Sequence, residues 1–265
     1  MSSMTILDEI VEYKRKVVEQ RKNAMPLGRL YESPFYQRTP ISYLDAVRTH
    51  SGSGIIAEFK RRSPSKGWIN EFADTQLVIP AYEQAGASAV SILTDDHFFG
   101  GSDEDLIAIR AKTNISILRK EFIIDAYQIH EAKAIGADII LLIAAILDPR
   151  EVQEFTRIAF DLGLEVILEL HDEEEMGHVC PGISLVGINN RNLKNFEVDI
   201  ERSMGMIEAL PKESLKIAES GITEPAQLAA FRQAGFEGFL IGERFMRTHE
   251  PGETLKDFLN KSHTV

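Results

Sequence analysis

From Gly54 onward, short apolar runs recur along the chain, centred near Ala57, Ser91, Ile117, Leu141, Ile167, Gly187, Ile217 and Leu240. Between them lie segments with helical signals: Thr75–Ala85, Asp103–Lys112, Ala126–Ile135, Pro149–Leu162, Asp172–Val179, Ile200–Leu210 and Glu224–Ala234, with Gly252–Asn260 after the last run. Alternation of this kind predicts an α/β fold with a parallel sheet, and eight repeats predict closure into a single (β/α)8 TIM barrel. An open doubly wound sheet is the alternative. A repeated connector supports the array: Ala85-Gly86-Ala87-Ser88, Ile135-Gly136-Ala137-Asp138 and Ala234-Gly235-Phe236-Glu237 each place a glycine between a helix and the next strand. Glycine accepts the left-handed conformation that ends a helix.

The first 50 residues have a different pattern. Ile6, Ile10, Tyr13 and Val17 fall on one helical face, with Glu9, Glu12, Lys16 and Glu19 on the solvated side. A second short helix is expected over 41–50, and Pro26, Pro34 and Pro40 punctuate the linker between the two. This segment reads as an N-terminal helical extension packed on a barrel spanning 54–260, the whole forming one domain over 1–265.

Composition narrows the function classes. The chain has 265 residues, 44% hydrophobic and 26% charged, as ordinary globular proteins do. A net charge of −12 argues against a nucleic-acid surface, which needs clustered Lys and Arg. It also means that an anionic substrate requires a locally basic site, for which Lys60-Arg61-Arg62 and Lys66 form the densest candidate patch. No run of 18 apolar residues predicts a membrane span, and the first residues lack the pattern of a signal peptide. The single cysteine, Cys180, fits a reducing, cytoplasmic setting and lacks a catalytic-cysteine signature. No fused pathway enzyme is expected, and the chain is expected to act as a monomer, a homodimer being the other option.

Candidate chemistry begins at Glu58 and Lys60. Two residues apart on a strand, they share a face, and an acid beside an ammonium on a buried face is costly unless something uses it. Barrels of this kind keep their chemistry at the carboxyl ends of the strands. Those ends carry Glu58 and Lys60, Asp95, Arg119-Lys120, Glu169 and His171, Asn189-Asn190-Arg191, Glu219-Ser220 and Gly242-Glu243. Lys120 reads as a general acid, which calls for a pKa lowered by burial, Arg119 or Lys60. Glu169 follows three apolar residues, so desolvation is expected to raise its pKa toward proton transfer. Asn189 is suited to orient a hydroxyl or carboxylate. Ser63, Ser220, Gly221 and Gly242 point to a phosphorylated substrate, because loops after the last two strands commonly bind phosphate through backbone amides. Asp95-Asp96-His97 is set aside as a metal site, since neighbouring residues at a strand end point apart; no metal and no cofactor are expected.

Several motifs together resemble one family. Ile56-Ala57-Glu58-Phe59-Lys60-Arg61-Arg62-Ser63-Pro64-Ser65 is similar to the opening motif of indole-3-glycerol phosphate synthases, enzymes of tryptophan biosynthesis. So are Phe98-Phe99-Gly100-Gly101-Ser102, Leu118-Arg119-Lys120-Glu121-Phe122, Gly187-Ile188-Asn189-Asn190-Arg191-Asn192-Leu193 and Ala218-Glu219-Ser220-Gly221-Ile222. The resemblance implies a cofactor-free barrel that closes the pyrrole ring of 1-(2-carboxyphenylamino)-1-deoxyribulose 5-phosphate with loss of carbon dioxide and water. It implies Lys120 as the ring-closing acid, Lys60 on the substrate carboxylate, Glu169 in the dehydration and Glu58 in its support. Asn189 and Glu219 match further polar site residues, and Arg191 a position near the carboxylate. Ser63, Ser220, Gly221 and Gly242 match the phosphate pocket; Phe99, Phe122, Leu141, Leu193 and Ile241 match the apolar wall. Which of Lys60, Lys120 and Glu169 moves which proton stays open. An isomerase of the same pathway would need a cysteine at a strand end; a Schiff-base aldolase using Lys120 and a non-catalytic scaffold are the other readings.

Overall fold

The structure is a computed structural model that describes residues 5–49, 52–191 and 200–262. Eight strands close into a barrel: β1 (Ile55–Phe59), β2 (Ala89–Leu93), β3 (Ser116–Lys120), β4 (Ile139–Ile143), β5 (Glu165–Leu170), β6 (Leu185–Asn189), β7 (Leu215–Glu219) and β8 (Gly238–Ile241). Every neighbouring pair is parallel, and β8 returns to β1 with Ile55 opposite Phe239. The doubly wound alternative is excluded by that closure.

Side-chain alternation sorts each strand into two rows. Ile56, Leu118, Leu141, Ile167, Leu185, Ile217 and Leu240 point inward and form one buried cluster. Their neighbours Ile55, Ala57, Ile117, Ile140, Leu168, Val186, Ala218 and Phe239 pack outward against the helices in a larger one. The expected glycines end their helices with φ of 102° at Gly86, 97° at Gly136 and 103° at Gly235.

Most predicted helices appear within a residue or two of their expected limits, Thr75–Ala85 and Ala126–Ile135 without change. Two differ. The acidic run at 172–175 opens only a 3-10 turn over Glu173–His178, and the segment from Ile200 is helical to Met206 before tightening into a 3-10 turn at Ile207–Ala209. Short helices at Asp96–Phe99 and Glu243–Met246 lack enough residues to show a helical period in the sequence.

The extension covers the barrel twice. Its short helix, Tyr43–Arg48, plugs the amino-terminal end: Tyr43 and Val47 join the inward cluster, and the Tyr43 hydroxyl donates to the Gly54 carbonyl at 2.9 Å. The Glu165 carboxylate at the start of β5 accepts from Ser42 Oγ at 2.5 Å and from the Tyr43 amide at 3.0 Å, capping that helix. The long helix, Ile6–Ala24, buries Ile10, Lys14 and Val18. Ile6, Tyr13 and Val17 are only half-buried, so the buried stripe is rotated from the one expected, and a lysine sits inside it. Lys14 Nζ lies 2.8 Å from Asp95 Oδ2 and 2.9 Å from Glu121 Oε1. No described helix is long and apolar enough to cross a membrane.

Candidate active site

The inward row that is apolar through the barrel becomes polar in its last layer. Glu58, Lys120, Glu169, Asn189 and Glu219 follow Ile56, Leu118, Ile167, Gly187 and Ile217 at intervals of two, so all converge on the axis at the carboxyl end. There they line a cavity of about 650 Å³, together with Lys60, Ser63, Phe99, Phe122, Arg191, Ser220, Gly221 and Gly242. Leu193 is the one expected site residue that lies outside the described residues.

Lys120 is the centre of the arrangement. Its Nζ is 3.0 Å from Glu169 Oε2 and 2.8 Å from Glu219 Oε2, and a separate pair joins Lys60 Nζ to Glu58 Oε1 at 2.5 Å. The Lys120 pKa is not lowered as expected. Burial disfavours the ammonium, but Glu169, Glu219 and Glu58 outweigh it and hold the proton on. Arg119 cannot act on Lys120, because adjacent strand residues face opposite ways. It is fully buried outside the barrel against Asp103 at 2.8 Å and Glu131 at 2.6 Å.

The two carboxylates flanking Lys120 differ. Burial pushes Glu169 up, but Lys120 and His171 overcome it and hold the carboxyl well below the usual range. Glu169 also accepts from Asn189 Nδ2 at 3.3 Å. Glu219 has fewer partners: its Oε1 is buried without a hydrogen bond, and burial together with the Glu169 charge raises its pKa to about 7, against the pull of Lys120. The elevation expected for Glu169 therefore belongs to Glu219. Gly187 makes this placement possible, since a Cβ there would lie 2.1 Å from Glu219 Oε1.

The other end of the cavity is built from loops. Ser220 has φ of 66° and Gly221 of 75°, and a left-handed serine is a strained conformation that concentrates at functional sites. Asn190 reaches across and donates from Nδ2 to the Ser220 carbonyl at 2.7 Å. Gly242 has a second reason for lacking a side chain, because a Cβ would meet Glu58 Oε1 at 2.4 Å. Glu243 turns toward Arg247 at 2.5 Å and Arg191 at 3.9 Å, which balances its charge beside the loops. The basic run of the first loop divides: Lys60 and Lys66 line the cavity, Arg61 grips Asp105 at 2.5 and 2.8 Å, and Arg62 lies over the Trp68 ring at 5.6 Å.

The apolar wall holds Phe99 and Phe122, with ring centroids 5.9 Å apart, and reaches Leu141 and Ile241, which also belong to the core clusters. Ile6, Leu7 and Ile10 of the long helix complete it. Their helical spacing is visible in the sequence, but nothing local says that this helix crosses the mouth. Asp95 is committed to Lys14 and to the Phe98 amide at 2.6 Å, which accounts for it without a metal.

Comparison with known proteins gives the same picture at three levels. The family model described as indole-3-glycerol phosphate synthase matches residues 7–258. A protein of that name from Bacteroides thetaiotaomicron is 48% identical over 96% of this chain and 97% of its own length. Namesakes from Salinibacter ruber and Micrococcus luteus are 42% and 40% identical, covering 95% and 99% of the chain and 94% and 100% of theirs. Among solved structures, tryptophan synthase subunit alpha from Legionella pneumophila superposes with a TM-score of 0.60 over 84% of this chain and 97% of that one. At 14% identity that likeness concerns the barrel alone. Barrel closure, the polar layer and these matches agree, and the chain belongs to the indole-3-glycerol phosphate synthase family.

Proposed function

We propose that this protein converts 1-(2-carboxyphenylamino)-1-deoxyribulose 5-phosphate to indole-3-glycerol phosphate, acting as a carbon–carbon lyase in tryptophan biosynthesis. The observation that carries the reading is the Lys120 ammonium held between Glu169 and Glu219 at the floor of a cavity with an apolar wall and loops suited to phosphate. In this reading Ser63, Ser220, Gly221 and Gly242 receive the phosphate, Phe99 and Phe122 flank the aromatic ring, and Lys60 and Arg191 meet the carboxylate.

Ring closure joins the carboxylate-bearing ring carbon to the ribulose carbonyl carbon while the carbonyl oxygen takes a proton from Lys120. A positioned acid of this kind contributes roughly 10²–10⁴-fold. Loss of carbon dioxide returns the electron pair to the ring and restores its aromaticity. The new hydroxyl then leaves as water, pushed by the ring nitrogen and protonated by a neighbouring acid, and Glu169 removes the proton that completes the indole. Glu219, whose carboxyl is pushed up by burial and the Glu169 charge, is suited to hand protons to and from Lys120 between steps. Asn189 orients Glu169, and Glu58 holds Lys60.

The reaction so written uses no cofactor or metal, and we place it in a cytoplasmic protein that works as a monomer. The test is indole absorbance and fluorescence after adding the carboxyphenylamino substrate with chelator present. Product should appear at a rate proportional to protein. Absence of product with active-site loops intact would overturn the assignment.

A further inference from the structure

His171 is a buried, basic side chain that the proposed chemistry leaves unused. It follows Glu169 by two residues at the end of β5, so both side chains enter the barrel on the same face. Its side chain is 8% exposed and does not reach the cavity surface. One ring nitrogen, Nε2, lies 3.2 Å from Glu169 Oε1, and the other, Nδ1, lies 3.6 Å from Glu175 Oε2. Glu175 sits on the 3-10 turn that follows β5, and its Oε2 also accepts the His171 backbone amide at 2.6 Å, so the turn is tied to the strand end. The contacts are charge pairings more than aligned hydrogen bonds, since both ring nitrogens are sealed from solvent without one. Among the described residues, the groups around this row have other contacts or carry no charge. His178 on the same turn meets the carbonyls of Glu175 and Leu147, the neighbouring β4 ends in Ile143, and β6 ends in the uncharged Asn189. Lys120 lies beyond Glu169, on its other oxygen.

We propose that His171 is a positioning residue, the cationic middle member of a Glu175–His171–Glu169 row that holds Glu169 as an aimed carboxylate for proton abstraction. The geometry favours this over simple core packing. A neutral imidazole between two buried carboxylates would leave both charges unbalanced on that side, whereas an imidazolium attracts each of them. Burial disfavours the cation, but contacts to Glu169 and Glu175 prevail and lift its pKa to about 9. The row explains why two carboxylates around one lysine are unequal: Glu169 has a second cation behind it, and among the described residues Glu219 is paired with Lys120 alone. It also gives the acidic turn at 172–175 a purpose, because the last of its acids anchors the imidazolium.

The kinetic test of this row rests on the function proposed above, whereas the direct test does not. The direct test is an NMR titration of the His171 imidazole in the full-length protein. It should titrate near pH 9, and its pKa should fall by a unit or more in Glu175→Gln and in Glu169→Gln. Titration at an ordinary histidine value in the wild type, or no change in both variants, would overturn the row. The kinetic test compares His171→Gln with wild type. Loss of the cation should lower kcat by roughly tenfold or more, with KM little changed, and shift the acidic limb of the kcat profile to higher pH. A profile lowered equally at every pH would mean that His171 only packs. If His171→Gln fails to fold, Glu175→Gln, which keeps the imidazole, carries both measurements. Absence of turnover in the wild type would reject the function, and the titration would still decide for or against the row by itself.

Discussion

Lys14→Met is the perturbation that best tests how the extension serves the site. Lys14 is 3% exposed and pairs with Asp95 and Glu121 at 2.8 and 2.9 Å. Methionine matches the length of the aliphatic stem, so little cavity is created and the loss is mainly electrostatic. Two carboxylates, 1% and 2% exposed as whole residues, would be left without their cation. Breaking a buried pair costs about 3–5 kcal/mol, chiefly through the stranded charge. For a barrel of this size that corresponds to roughly 6–20 °C in melting temperature, at about 2–4 °C per kcal/mol. The effect should reach the cavity, because Asp95 accepts the Phe98 amide and Glu121 accepts the Phe122 amide at 2.6 and 2.8 Å. KM for the aromatic substrate should rise accordingly. Calorimetry and urea unfolding read the stability, and adding Glu121→Gln should recover part of the loss by neutralising one stranded charge. A Lys14→Met protein within about 1 kcal/mol of wild type would show that Lys14 is no buried tether, since that places the pair at the level of a surface ion pair.

Two further changes probe the site through its backbone. Gly187→Ala places a methyl group against Glu219, whose oxygen lies 2.1 Å from the Cβ position, and the shift of about 1 Å needed to clear it should cost about 10²-fold in kcat with the barrel still folded; an unchanged kcat would show that the Lys120–Glu219 contact is dispensable. Ser220→Gly relieves the left-handed serine and should add about 1 kcal/mol of stability, while losing a hydroxyl from the proposed phosphate loop and raising KM. A lower stability would show that the left-handed serine holds no strain for glycine to release.

The fold is legible in the sequence because its signals are local. Alternation within each apolar run, glycine after three of the helices and the count of repeats all act over a few residues, and each is met in the barrel. Strand ends give the polar layer for the same reason. What escapes depends on contacts between distant segments. Lys14 lies on an otherwise apolar stripe and meets Asp95 across 81 positions of chain, so nothing nearby marks it as buried. Sequence neighbours suggest an acidified Lys120, but the groups that set its charge, Glu169 and Glu219, come from β5 and β7. Gly187 reads as the middle of a strand and Gly242 as a loop residue, yet each leaves space for a carboxylate arriving from an adjacent strand. The 3-10 turn at Glu173–His178 replaces an expected helix because the Glu175 side chain turns back onto the His171 amide at the strand end.

Lys120, poised between Glu169 and Glu219, is the group proposed to supply the proton for ring closure. Turnover and substrate-analogue binding by Lys120→Ala, side by side with wild type at neutral pH, examine that role with no intermediate step. Kcat should fall by roughly 10²–10⁴-fold or to background, with analogue affinity largely retained. Turnover comparable to wild type would remove Lys120 from the acid role and the proposed ring closure with it.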